Sequence, residues 1–290
     1  MTIKDKLPLP DWRFGIEIEC AVPLGHESLA RELTRLTGLE ARYTDQGEYA
    51  TWEVHNEGIG VNGLYNLELV SPRLRGEEGL AQIKTMMATL QRMGAVVSAA
   101  AGMHVHLDRS HLSDAALGHW HANFIRYEKC FDQLVARRRT CGYPQSNAVW
   151  LAARMRDGEH RYGATNVIEY ARLATVAFAR NLLNKGPKFS PREMGTVELR
   201  QHQGSLNGTR AAHWLSLMLH FAAVASQDAV GVEMFDGSEA SVKSLLAYAG
   251  VPYATRRYWL ARRRDLIDLT FSAGPAGETF ANARRLKVAA

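Results

Sequence analysis

The chain has 290 residues, 46% hydrophobic and 22% charged, which leaves room for a sizeable core and excludes wholesale disorder. A formal charge of +5 and an isoelectric point near 9.1 favour anionic ligands such as nucleotides, but the basic residues are too dispersed for a nucleic-acid footprint. Three cysteines, Cys20, Cys130 and Cys141, lack CxxC spacing, which argues against a disulfide framework or a cysteine zinc site and fits a reducing compartment. Met1 to Asp11 has no apolar run of the kind a signal peptide needs, and no window approaches the ~18 apolar residues of a membrane span, so a cytoplasmic location is expected.

In chain order, Phe14-Gly15-Ile16-Glu17-Ile18-Glu19 alternates apolar and acidic residues, the period of a strand with one buried face. Ser28 to Leu36 predicts an amphipathic helix, since Leu29, Leu33 and Leu36 share a face and Gly38 follows. Strands are expected over 49–54 and 66–70; the second carries Glu68 and is stopped by Pro72. Glu77 to Met93 spaces Leu80, Ile83, Met87 and Leu90 by three and four, the mark of a helix, and Gly94 closes it. Ala95-Val96-Val97 predicts a strand, Ser98 to Gly102 a tight small-residue passage, and the next residues a short strand with His104 and His106 on one face.

A long helix is expected over 112–139, with Ser113 as N-cap and Arg137-Arg138-Arg139 at its end. That basic run either complements the helix dipole in solvent or brings an arginine to a substrate phosphate or carboxylate. Residues 161–184 read as part helix, part strand. Residues 186–195, with Pro187 and Pro191, read as a loop whose Lys188 is either solvated or turned to a site. A strand at 195–202 carries Glu198 and Arg200, and helices follow at 209–227, 239–248 and 255–269. The arginines of the last helix suit a solvated face, or a surface for RNA or an acidic partner. Ser272 to Gly277 predicts a flexible stretch.

Four of these strands place ionisable residues opposite an apolar face. Alone, His104 and His106 are as readily two polar residues on a wet strand face as a pair of ligands. Beside Glu17, Glu19, Glu68, Glu198 and Arg200 they gain meaning, because so many carboxylates on one surface repel unless cations neutralise them. Oxygen-rich ligation with some imidazole suits Mg²⁺ or Mn²⁺, and Mg²⁺ usually accompanies substrate phosphates.

Taken together, Phe14 to Glu19, Glu68-Leu69-Val70-Ser71-Pro72, Gly102-Met103-His104-Val105-His106 and Thr196 to Gly204 resemble the amidoligase family. That family belongs to the glutamine synthetase and γ-glutamylcysteine ligase superfamily of carboxylate–amine ligases. The resemblance implies an α+β fold with a curved, mostly antiparallel sheet and helices on its outer face. A catalytic domain is expected over 12–230, with a helical extension over 231–290 packed on it. The resemblance further implies ATP and Mg²⁺, with Mn²⁺ possible, and amide formation between small-molecule or peptide acids and amines through an acyl phosphate. Glu17, Glu19, Glu68, His104 and Glu198 are then expected on the metals, His104, Arg200, Lys188 and Arg139 at the nucleotide, and Arg200, Glu19 and His106 in catalysis. Neither a membrane nor a nucleic-acid partner is expected.

Two stretches depart from the family pattern. His55-Asn56-Glu57-Gly58 stands where an acidic residue and a serine are expected, and Arg137 to Asn147 matches loosely. Rival readings of the same residues are a guanidino-kinase-type phosphoryl transferase, a metal-dependent hydrolase built on His104, His106 and Glu19, and an inactive nucleotide- or metal-binding relative.

Overall fold

A computed structural model describes residues 8–44, 46–140, 143–157, 163–181, 186–228 and 231–272. Residues 1–7, Cys141 and the expected flexible stretch beyond Ser272 lie outside the described residues. Among the described residues eight strands form one sheet: β1 Arg13–Val22, β2 Ala41–Tyr43, β3 Trp52–Asn56, β4 Tyr65–Val70, β5 Leu74–Arg75, β6 Gly102–Asp108, β7 Phe189–Pro191 and β8 Thr196–Gln203. The order is β2-β3-β4-β1-β6-β8-β7, with β5 also pairing β1. Every ladder is antiparallel except β2–β3, so the sheet is mostly antiparallel, as expected.

The strands alternate by design of the sequence. Phe14, Ile16, Ile18 and Cys20 of β1 are buried, with Leu67 and Leu69 of β4, Met103, Val105 and Leu107 of β6, and Val197 and Leu199 of β8. All belong to one apolar cluster that the helices complete. These are α1 His26–Thr37, α2 Gly76–Arg92, α3 Asp114–Asp132, α4 Asn147–Arg156, α5 Val167–Asn181, α6 Gly208–Ala225, α7 Glu239–Tyr248 and α8 Tyr253–Ser272. Ile83 and Met87 from α2, Trp120 and Phe124 from α3, Trp214 from α6, Leu245 from α7 and Trp259 from α8 enter the same cluster. Each such side chain contributes about 1.5–3 kcal/mol by leaving water. With helices on the apolar face, the ionisable residues of β1, β4, β6 and β8 share the other.

Several expectations are corrected. The helix after Ser113 is capped as predicted, by the Ala116 N–H donating to the serine hydroxyl at 3.2 Å, but it stops at Asp132. Beyond it, the Ala136 N–H donates to Gln203 of β8 at 3.0 Å and Arg138 to the Ala101 carbonyl at 2.9 Å. These tertiary bonds outweigh helix propensity and leave Arg137–Arg139 as a 3-10 turn. The expected strand at 95–97 reduces to one bridge between Val96 and Ala21, because the Ser98 hydroxyl accepts from the N–H groups of Ala100 and Ala101 and turns the chain. Residues 163–181 hold α5 and no strand, and α4 precedes it unpredicted. Part of the expected 186–195 loop is β7, whose Pro191 is tolerated because the strand lies at the sheet's edge.

Candidate active site

Residues directly opposite one another in an antiparallel ladder share a face. Glu17 of β1 pairs with His104 of β6, and Glu19 with Glu68 of β4. His106 pairs with Glu198 of β8. The register therefore collects carboxylates from three strands around one imidazole. His104 Nδ1 lies 3.0 Å from Glu17, 3.5 Å from Glu198 and 3.8 Å from Glu68, and its Nε2 lies 3.6 Å from Glu19. His106 is held between Glu17, 2.9 Å from its Nε2, and the Thr196 hydroxyl, 3.2 Å from its Nδ1.

The glycine before His104 is there for room. A Cβ on Gly102 would stand 2.6 Å from His104 Nε2 and 3.1 Å from Arg139, and the Gly102 N–H donates to Glu19 at 2.5 Å. Charge is unevenly matched across the face. Burial pushes the Glu68 carboxyl well above its usual range, and Glu17, Glu19, Glu57 and Glu198 add to the effect. Burial also works against ionised Glu17, but the His106 charge and the bonds from both histidines outweigh it and hold that carboxyl well below the usual range. Burial lowers His106, while Glu17 and Glu198 more than reverse this and keep its imidazole above the ordinary value.

Two groups of donors have a metal-binding arrangement, Glu17, His104 and Glu198 in one and Glu19, Glu68 and His104 in the other, with ligand atoms within 4.8 Å of one another. Two carboxylate charges at that separation repel by roughly 3–4 kcal/mol at an effective dielectric of about 20. A donor set of carboxylate oxygens with one shared imidazole, short of positive charge at Glu68, fits a hard divalent cation such as Mg²⁺ or Mn²⁺.

The remaining expected residues divide. Arg200 is at the site: it donates to Glu198, and to the Tyr143 hydroxyl at 2.7 Å. Arg139 lies beside the Gly102 end, donating to the Arg200 carbonyl, and burial pushes its guanidinium down to about 10 despite nearby Glu19. Lys188 is not brought to this face and is not a solvated loop residue. It is buried, and its ammonium bonds Asp132 at 2.8 Å and Glu128 at 3.0 Å, both on α3. A desolvated ammonium needs paired carboxylates, and α3 supplies them.

Sequence reasoning missed Arg192, which clasps the second Glu198 oxygen, at 2.5 Å from Nε. The β7–β8 hairpin brings it there, and a basic residue just before the Glu198 strand is the only signal. Also missed was Glu53, fully buried on β3. It lies 3.0 Å from His55 and accepts from the N–H groups of Glu48 and Tyr49. His55 pairs with Glu68 in register, so the departure from the family pattern stands next to the carboxylate cluster.

The family described as "Putative amidoligase enzyme" matches residues 58–222, more than half of the chain. The chain belongs to this amidoligase family. The amidoligase match includes Glu68, His104, His106, Arg139, Glu198 and Arg200, while Glu17 and Glu19 on β1 precede it. No curated protein matches the chain. The similar solved structures include a novel glutamine synthase homolog and a bifunctional glutathione synthetase from Pasteurella multocida. Each is 12% identical with a TM-score of 0.43; the likeness covers 91% of this chain and 68% and 50% of theirs, respectively. Both are remote, and the fold stands on the chain's own strand order and register. An amide-forming ligase is what the amidoligase family assigns. Among the described residues no helix is long and apolar enough to cross a membrane.

In this amidoligase a cleft of about 160 Å³ opens beside the carboxylate–imidazole cluster, and Glu17 and His106 form part of its wall. It lies where β1 begins, β4 ends and β6 ends, with Tyr49 and Met194 on neighbouring loops.

Proposed function

We propose that the chain is an ATP- and Mg²⁺-dependent carboxylate–amine ligase working through an acyl phosphate. The observation that carries this reading is the gathering of Glu17, Glu19, Glu68 and Glu198 around His104. Arg192 and Arg200 match Glu198 and the histidines match Glu17, but the negative charge left over around Glu68 calls for a divalent cation, and hard oxygen ligands favour Mg²⁺ partnered by phosphates. Bound Mg²⁺ would supply charge neutralisation for the nucleotide phosphates.

Glu17 and Glu198 would hold one ion and Glu19 and Glu68 a second, with His104, whose neutral ring has a single nitrogen lone pair, serving one of the two. An acid and an amine do not condense at neutral pH without activation. An oxygen of the acid would attack the γ-phosphorus of ATP as the bond to ADP breaks. The amine nitrogen would then attack the acyl carbon, lose a proton and expel phosphate. Arg200, steadied by Tyr143, and Arg192 would face the charge that builds on the transferred group. His106, fixed between Thr196 and Glu17, would orient the acceptor carboxylate. A cytosolic setting, rich in ATP and Mg²⁺, goes with this reading.

The test is incubation with Mg²⁺ and ATP across a panel of acid–amine pairs, read by mass spectrometry. ADP, phosphate and a new amide in equal amounts are expected, and Glu19→Ala or Glu198→Ala should abolish ATP turnover while the fold persists. Turnover retained in both variants would overturn the assignment. Nucleotide-independent hydrolysis with Zn²⁺ would point to the hydrolase reading instead.

A further inference from the structure

The cleft beside the cluster has a composition that the ligase chemistry leaves unexplained. Its volume of about 160 Å³ is close to that of a cavity of about 150 Å³ that holds benzene, so it takes the body of a small acid and not a nucleotide. At its inner end are Glu17 and His106. At its outer end are Arg13, which opens β1, and Arg73, which follows β4. Both are exposed, and neither forms a hydrogen bond or salt bridge with any described residue. Their neighbour Arg75 is paired with Asp11. Val70, Pro72 and Met194 line the cleft with apolar surface.

Other polar groups of the cleft are already occupied. Asp108 accepts from the Ser110 N–H at 2.8 Å. The Ser71 hydroxyl accepts from Ile16 N–H and donates to the Pro72 carbonyl, both at 2.9 Å. Arg13 lies close enough to help hold the Asp108 carboxyl below its usual range, but neither it nor Arg73 is committed to a hydrogen bond, and a planar guanidinium suits the two oxygens of a carboxylate. Tyr49, on the cleft wall, is the one non-glycine residue with positive φ (55°) among the described residues, and buried Glu53 fixes its N–H at 2.8 Å. Backbone held in that region by its surroundings is typical of ligand-contacting loops.

We propose that this cleft selects an acid with two carboxylates on a short apolar spacer, the reacting one beside Glu17 and His106 and the other on Arg13 and Arg73. The proposal rests on the ligase reading for which carboxylate reacts, but the binding preference can be tested apart from it. Calorimetry on the full chain would compare succinate, glutarate and adipate with butyrate, valerate and hexanoate, with and without Mg²⁺ and a non-hydrolysable ATP analogue. At least one diacid should bind roughly tenfold more tightly than its matched monoacid, and the Arg13→Gln/Arg73→Gln variant should lose that preference. Equal affinities, no acid binding under either condition, or a preference that the double variant keeps would each overturn the proposal. The analogue's own binding is read on the same samples. If it fails to bind while the diacid preference holds, the ligase reading falls and the cleft assignment stands; if it binds and the preference is absent, the reverse follows.

Discussion

Glu19 stands directly opposite Glu68 across the β1–β4 ladder, and one imidazole, His104, reaches both carboxylates. Like charges facing each other across strands destabilise a sheet. Glu68→Gln should therefore raise the stability of the protein in chelator by about 1–2 kcal/mol, a few degrees in Tm. The same variant should lose the stabilisation that Mn²⁺ gives the parent. Thermal unfolding with chelator and with Mn²⁺ reads both effects, and an unchanged or lowered Tm in chelator would count against a repulsive pair.

Gly102→Ala tests the space around His104. The added methyl would meet the ring nitrogen at 2.6 Å and Arg139 at 3.1 Å. Overpacking of this kind costs about 1–3 kcal/mol. The ring has to give way, so metal-dependent turnover should fall further than the loss of stability explains. Denaturant unfolding and ADP release measured together separate the two.

Lys188→Met tests a residue whose role the structure reassigns. Its removal leaves Glu128 and Asp132 without their shared cation in a buried setting, a change that costs about 3–5 kcal/mol. The expected outcome is a large drop in Tm with the KM for ATP unchanged in whatever fraction stays folded. A raised KM with Tm preserved would return Lys188 to the nucleotide.

His202 gives the acid arm of stability. Burial, helped by Arg210 and Arg262, pushes its imidazole down to about 3. In the unfolded chain a histidine titrates near 6.5, so as pH falls below ~6.5 the unfolded state takes up a proton that the fold refuses. Stability is lost on that descent, by roughly 2–3 kcal/mol at pH 4.5. His202→Gln should lose less stability than the parent between pH 7 and 4.5 in guanidinium unfolding. Parallel losses would show that the buried ring is not the cause.

How much of this was legible in the sequence depends on the length of the signal. β1 and β6 alternate polar or ionisable and apolar residues over six positions, β4 and β8 do so over three and four (Leu67 to Leu69, Val197 to Arg200), and the side chains that meet at His104 are those the alternation marks. Three-residue strands such as β2 and β7 have no room for a pattern. The end of α3 was hidden because its cause, Gln203 accepting from Ala136, is 67 residues away. Lys188 was misplaced for the same reason: which way its side chain turns is decided by α3 and not by its own loop. Arg192 carries only the weak mark of a basic residue before the Glu198 strand, which does not say which carboxylate the fold will bring to it, and the i, i+2 spacing of Glu53 and His55 on β3 lay at the end of a strand expected over 49–54.

Pro191 has one more consequence. An outermost strand offers its free N–H and C=O groups to any other chain, and long flat ones invite stacking into aggregates. Here the sheet closes on one side with three residues that end in an imino acid lacking a donor, and on the other with three residues, Ala41–Tyr43. Both margins are too short to template a foreign strand, so crowding should not drive this sheet to extend sideways.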